Sequence, residues 1–485
     1  MKLVLNSPAR FLIMLMIAVI LRCDTFGDPN LHGDESFYLT VGAAMHHGAL
    51  PYVDVWDRKP LGLFLIYYLI AAISVAPLAY QLVATLFSAA TAWAIGAIAM
   101  KINDDFEGKS QGALLAGACY LLWLAPMHGY GGQSPIFYNL FMTLAALLVV
   151  RTIPALERGR VPVILPLAML LAGASVTVKT CAVFEATFLG LLCCIHLHRS
   201  RIGSGRAIGH SLLWALIGMA PAAIIAVWYW HSGHWSEYWH AMVTSNLKKV
   251  PNWPTAWLRF RMMFVALTPI ITLAAFGLLE QRRDKRSFVV LWLGAAFLGL
   301  LSMPNFYTHY ALPLLVPLSV AAAPLLARGA IGRIAIAAIA CLSLVISPIF
   351  QFGHIARSKA AITALTNAVQ SHLGGGKLLV YDGPPQLYML TGQSFITPLV
   401  FPTHLSQLIE KDVSHLSTMG ETRRVLALQP GAVVMATGIR NAPGNLETRA
   451  LVEAYVGQNC QLITVVLTPE RAREDWIEVW GNCRK

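Results

Sequence analysis

Apolar residues run in long blocks along most of this chain, broken by short polar loops. Blocks near 8–26, 79–100, 111–128, 135–151, 161–178, 180–198, 210–230, 262–280, 288–304, 309–327 and 331–351 each come close to the ~20 residues that carry a helix across a bilayer. They predict eleven transmembrane helices. A further block, Leu61–Ala76, is shorter and bracketed by Pro60 and Pro77, and it predicts a helix lying in the membrane interface. Beyond residue 353 the pattern changes. Lys377–Tyr381, Ala432–Ala436, Gln461–Leu467 and Trp476–Trp480 read as strands, and 355–372 and 447–457 carry helical periodicity. The expected fold is a polytopic α-helical membrane domain over 1–353, whose first outer loop spans 27–78 and includes the interfacial helix. A soluble α/β domain over 354–485 follows it. No internal repeat is visible, which argues against the commoner transporter plans.

Composition sharpens this picture. Of 485 residues, 56% are hydrophobic and only 12% charged, too little charge for an ordinary soluble domain. The formal net charge of +12 would suggest nucleic acid in a soluble protein. Here the cations lie in short loops between apolar blocks, and no basic–aromatic nucleic-acid module is present, so membrane orientation is the better explanation. With the N-terminus cytoplasmic, sixteen Lys and Arg (among them Lys2, Arg199–Arg206 and Arg282–Arg286) fall on the cytoplasmic side. Eight, including Arg22, Lys59, Lys179, Lys248, Lys249 and Arg259, fall on the other. The positive-inside rule favours that orientation and places the tail outside. The N-terminal apolar block lacks a small-residue cleavage site and reads as an uncleaved anchor. Six of the eight cysteines lie in or beside apolar blocks and read as small buried hydrophobes. Cys460 and Cys483 lie in the polar tail, where an oxidising compartment would permit a disulfide.

The scarce charges gather in one stretch. Between Gly33 and Pro60, Asp34, Glu35, Asp54 and Asp57 sit with Arg58 and Lys59, and Asp28 lies just before them. A carboxylate in a cavity at the membrane edge can take a proton from a hydroxyl or hold a divalent metal, and Asp34 is the first candidate for either role. The competing structural role for Asp34 is to cap a helix from Glu35 to Ala44. Lys59 can meet a phosphate as a point charge or anchor at the interface. Lys179 and Glu185 lie in or beside apolar helices, where ionisable groups are costly and usually functional, or pair with each other. His309 and Tyr310 close the outer turn before the tenth span. Under the expected orientation all of these face the same side of the membrane.

The run GDESFYLTVGAAMHHGALPYVDVWDRKPLG resembles the first outer loop of the type C (GT-C) glycosyltransferases, in particular the bacterial members of the family of protein O-mannosyltransferases and lipid A aminoarabinose transferases. Asp34, Glu35, Tyr38, Gly48, Pro51, Tyr52, Asp54, Lys59 and Pro60 match that loop's pattern. The segments NFYTHYALPLLVP and KLLVYDGPPQLYMLTGQ resemble later parts of the family. Where members often carry an acidic residue before the fourth span, this chain has Gln133-Ser134-Pro135. The resemblance implies an inverting glycosyltransferase of the bacterial inner membrane with a periplasmic tail. It would move a sugar from a polyprenyl-phosphate donor to an acceptor hydroxyl on a glycan, lipid or protein. Asp34, helped by Glu35, would be the base. Lys59, Asp57, Tyr38, Lys179, Glu185, His309 and Tyr310 would attend sugar and lipid phosphate, with no obligatory cofactor beyond a possible divalent metal at Asp34. The alternative is a transporter or flippase of a lipid-linked saccharide.

Overall fold

The computed structural model describes residues 6–248, 251–347, 349–440, 443–471 and 473–483; Lys2 and Lys249 lie outside them. The helices follow the apolar blocks. In chain order they are α1 (Ser7–Arg22), α2 (Gly33–Met45), α3 (Leu61–Ile73), α4 (Pro77–Ile102), α5 (Lys109–Leu124), α6 (Ser134–Glu157), α7 (Leu165–Val178), α8 (Val183–His198), α9 (Ser204–His231), α10 (Trp253–Glu280), α11 (Arg283–Leu301), α12 (Leu315–Leu326) and α13 (Gly329–Ile346). Each of the eleven expected spans is therefore helical. Seven of the described helices are long and apolar enough to cross a membrane: α4, α6, α8 with its leading turn, α9, α10, α12 with its leading turn, and α13. The others fall short for visible reasons. Helices α1 and α5 have 16 residues, α7 has 14, and α11 opens on Arg283, Lys285 and Arg286.

Backbone contacts divide the chain into two compact units. The first comprises residues 1–23, 83–225 and 252–350. Its helices meet through small residues: a Cβ at Gly112 of α5 would stand 2.5 Å from the Ala323 carbonyl of α12, a spacing only glycine permits. One guanidinium is buried in this apolar setting. Arg22, 3% exposed at the end of α1, donates to the carbonyls of Gly129 (2.8 Å) and Gly131 (2.7 Å) and to Thr85 Oγ1 (3.1 Å). A buried charge is tolerable only when its donors are satisfied in this way.

The second unit comprises residues 24–82, 226–251 and 351–485. The tail supplies α14 (Phe352–His372), α15 (Thr418–Ala427) and α16 (Leu446–Asn459), with β1 (Leu378–Val380), β2 (Ala432–Ala436), β3 (Gln461–Glu470) and β4 (Arg473–Gly481). All four strands and both helices predicted there are present. The sheet order is β1-β2-β4-β3, parallel between β1 and β2 and antiparallel elsewhere, as expected when β3 and β4 form a hairpin. Cys460 and Cys483 form a disulfide that joins the start of β3 to the residues after β4. The first loop is tied to α14 at Asp28, whose carboxylate accepts from Ser358 Oγ (2.5 Å) and meets His354 Nδ1 (2.8 Å), all three residues buried. Helices α2 and α3 pack at Gly42, where a Cβ would stand 2.6 Å from the Tyr67 carbonyl.

Candidate functional site in the acidic loop

Helix α2 begins two residues earlier than the sequence implies, at Gly33, and Asp34 does not cap it. His32 takes that position, its Nδ1 accepting the Asp34 backbone N–H at 3.2 Å. Asp34 therefore lies in the first helical turn, with Oδ2 3.9 Å from His32 Nδ1 and the side chain 17% exposed. Displacing Asp34 from the cap leaves its carboxylate for other work, and no local pattern signals that a histidine would replace it. Glu35, on the next position, is fully buried, with Tyr80 beside it. The two adjacent acids thus occupy different environments, one at the surface and one in the interior.

The loop after α2 folds back on itself to present Lys59. Tyr52 adopts a left-handed backbone (φ 72°), and its N–H donates to the Val55 carbonyl at 2.6 Å. Its hydroxyl donates to the Lys59 carbonyl at 2.9 Å. The Asp57 carboxylate accepts the Lys59 backbone N–H (2.8 Å) and lies 3.5 Å from Lys59 Nζ. The ammonium stands 5.4 Å from the centre of the Tyr38 ring, a cation–π contact. Arg58 turns away to Glu410, at 2.8 Å. Burial pulls the Lys59 ammonium toward neutrality, but the carboxylates of Asp57 and Asp34 outweigh it and raise its pKa above the usual lysine value. Burial likewise pushes the Asp57 carboxyl up, and Lys59, His404, Arg58 and the Lys59 N–H together bring it below the ordinary range. At neutral pH this is a fixed charged pair with Asp34 in electrostatic range. His404, against the Trp56 ring at 4.6 Å, is held neutral by burial, its pKa lowered to about 4. Sequence reasoning missed it, because nothing local marks a tail histidine as a neighbour of the first loop.

The first unit holds the remaining candidates. Lys179 Nζ stands 4.9 Å over the Tyr310 ring. His309 stacks parallel to Tyr307 (6.0 Å, 7°) and edge-on to Tyr310 (4.8 Å, 87°). Arg259 joins them, its Cζ 4.3 Å over Tyr307; its charge was visible in the sequence but its partner was not. Glu185 is buried and accepts from Trp292 Nε1 at 2.8 Å. Gln133 and Ser134 are buried at the start of α6. The second unit thus brings together Asp34, Tyr38, Asp57 and Lys59, and the first brings together Lys179, His309 and Tyr310.

Among the described residues, no group of three or more His, Cys, Asp or Glu is arranged to hold a metal ion. The groups near Asp34 also suit one poorly, since a charged ammonium, that of Lys59, lies in electrostatic range of its carboxylate.

No family model matches the sequence, and no curated protein matches it. Among solved structures, the chain is similar to ArnT from Cupriavidus metallidurans bound to undecaprenyl phosphate. The similarity covers 96% of this chain and 97% of that one at a TM-score of 0.59, with 11% sequence identity. It shows a shared GT-C fold over nearly the whole length.

Proposed function

From a GT-C fold and a multi-pass membrane chain, we propose an inverting glycosyltransferase that moves a sugar from a polyprenyl-phosphate donor to an acceptor hydroxyl. The observation that carries this proposal is the charged set of Asp34, Asp57 and Lys59 on α2 and its following loop, in a fold shared with a protein solved with undecaprenyl phosphate. Asp34 takes the proton from the acceptor hydroxyl. The acceptor oxygen forms a bond to the anomeric carbon as the bond from that carbon to the phosphate oxygen breaks, so the configuration inverts. The lipid phosphate leaves with one more negative charge than the donor phosphodiester carried. Lys59 meets that charge. Its pairing with Asp57 keeps it protonated and aimed, which is preorganised electrostatic stabilisation of a leaving group. Lys179 and His309 are the first unit's candidates for the sugar or phosphate, with Tyr310 holding them by its ring. Glu35, buried beside Tyr80, shapes the α2 interior behind Asp34. The proposed location is the bacterial inner membrane with the tail periplasmic; the Cys460–Cys483 disulfide supports an oxidising side for the tail.

The test is transfer of labelled sugar from a panel of polyprenyl-phosphate sugars in membranes holding the chain. Removing a general base typically costs 10²–10⁴-fold. Asp34→Asn should lower the transfer rate by at least about 100-fold while protein level and donor binding persist. Full activity in Asp34→Asn would overturn the role of Asp34. Transfer absent for every donor, with movement of lipid-linked sugar across the bilayer instead, would replace the enzyme with a flippase.

A further inference from the structure

The second unit contains a cavity of about 830 Å³, within the ~300–1,000 Å³ common for small-molecule sites. One wall is a single face of α2, Thr40, Ala43 and Ala44, spaced i, i+3, i+4, continued by His47 in the turn that follows the helix. The facing wall is tail segment 388–398. That segment is held firmly from several directions. The Gln393 N–H donates to the Tyr388 carbonyl (2.9 Å), Arg424 donates to the Ile396 carbonyl (2.9 Å), and the Trp56 N–H donates to the Pro398 carbonyl (2.8 Å). Phe395 stands edge-on to Tyr388, with ring centres 5.3 Å apart. The wall is therefore built in advance of any occupant, which lowers the ordering cost of binding.

The polar lining has a definite chemical character. His47, Asp54, Gln393 and Ser394 reach the cavity from exposed or half-buried positions. Asp54 spends one carboxylate oxygen on the Leu50 N–H at 2.8 Å, and its other oxygen is available. Imidazole, carboxylate, amide and hydroxyl groups together offer mixed donors and acceptors, suited to a ligand rich in hydroxyl groups. The half-buried Phe395 ring, backed by the buried Tyr388, supplies apolar surface of the kind a sugar ring's C–H face packs on. Among the described residues, no Lys or Arg lines the cavity, in a chain with 36 of them, and Asp54 is its one formal charge. A neighbouring cavity of about 370 Å³ shares the Val75 and Met389 walls and is the one that carries a cation, Lys359. The larger cavity thus disfavours phosphate and accepts neutral or amino-bearing polyols.

We propose that this cavity between α2 and segment 388–398 binds a short neutral oligosaccharide, the acceptor glycan on which the transferred sugar is placed. The acceptor role rests on the glycosyltransferase reading above; the binding does not. The occupied face of α2 begins at Thr40, about 9 Å of helix rise from Asp34. The glycan is thereby gripped along the same helix that carries the base, which keeps its register relative to the reacting end.

The experiment is calorimetric titration of the full chain in detergent, without donor lipid. The probes are neutral linear trisaccharides of glucose, mannose, galactose and N-acetylglucosamine, with inorganic phosphate and a phospholipid–detergent mixed micelle as competitors. At least one trisaccharide should bind. Gln393→Ala and the conservative Asp54→Asn should each weaken it about tenfold or more without lowering the thermal unfolding midpoint, and phosphate should not compete. Absence of binding by every trisaccharide, binding unchanged in both variants, or displacement by phospholipid would each overturn the proposal; the last would make the cavity a lipid site. Sugar transfer by the native chain separates the two claims. Glycan binding by a native chain that transfers no sugar from any donor would leave the cavity assignment standing and remove the glycosyltransferase reading.

Discussion

At the level of single residues, the structure separates groups that the sequence presents as equals. Asp34 and Glu35 are neighbours, yet one lies at the surface under His32 and the other is sealed beside Tyr80. Lys59→Met should lower sugar transfer at least tenfold, measured as initial rate, because the departing phosphate loses its cation. Lys59→Arg should restore little, since Asp57 and the Tyr38 ring are placed for a compact ammonium. His404 gives a pH signature. Its folded pKa is depressed to about 4 by burial, against about 6.5 in an unfolded chain. Between those values the unfolded state binds the extra proton, so stability is full above about pH 6.5 and falls as the pH drops toward 4, by roughly 3 kcal/mol at most. Thermal midpoints at pH 5 and pH 7.5 should differ in the native chain, and His404→Phe should shrink the difference. His354 has the opposite sign. Its hydrogen bond to Asp28 raises its pKa, so its contribution is present below the ordinary histidine value and fades as pH rises through the folded one.

Among the helices and strands, α2 positions the site, and what holds α2 is its contact with α3. The approach at Gly42 leaves no room for a methyl group, since a Cβ would meet the Tyr67 carbonyl at 2.6 Å. Gly42→Ala should therefore push the two helices apart, lowering the thermal midpoint and reducing transfer while the Asp34 and Lys59 side chains remain present. An unchanged midpoint would show that α3 yields at no cost. The tail hairpin makes a second case at this level. A disulfide closing a loop of about 23 residues contributes on the order of 3 kcal/mol by limiting the unfolded chain. Cys460→Ser, or reduction of the native chain, should lower tail stability by that order, read as earlier proteolysis of β3 and β4. Periodicity makes α14, α16 and all four strands legible in the sequence, because each is a local hydrophobic pattern. The N-terminus of α2 was misplaced because a histidine cap is not among the residues that usually mark a helix start.

For the molecule as a whole, the apolar blocks and the asymmetry of basic loops predict a tail outside the membrane. A C-terminal alkaline phosphatase fusion should be active and a C-terminal green fluorescent protein fusion dark; the reverse pattern would invert the proposed orientation. The amino-acid order sufficed to establish a membrane protein of many helices with a small α/β tail, since bilayer thickness and strand or helix period act on contiguous residues. It also placed the charged loop that carries the proposed chemistry, because charge is so scarce elsewhere. Four further features emerged only in three dimensions. Residues 24–82, 226–251 and 351–485 form one compact unit; His404 and Glu410 stand against Trp56 and Arg58; Arg22 is buried among carbonyls; and the walls of an 830 Å³ cavity come from α2 and segment 388–398. Those pairings join residues tens to hundreds of positions apart. They are fixed by packing and by the need to satisfy buried polar groups, neither of which leaves a local trace along the chain.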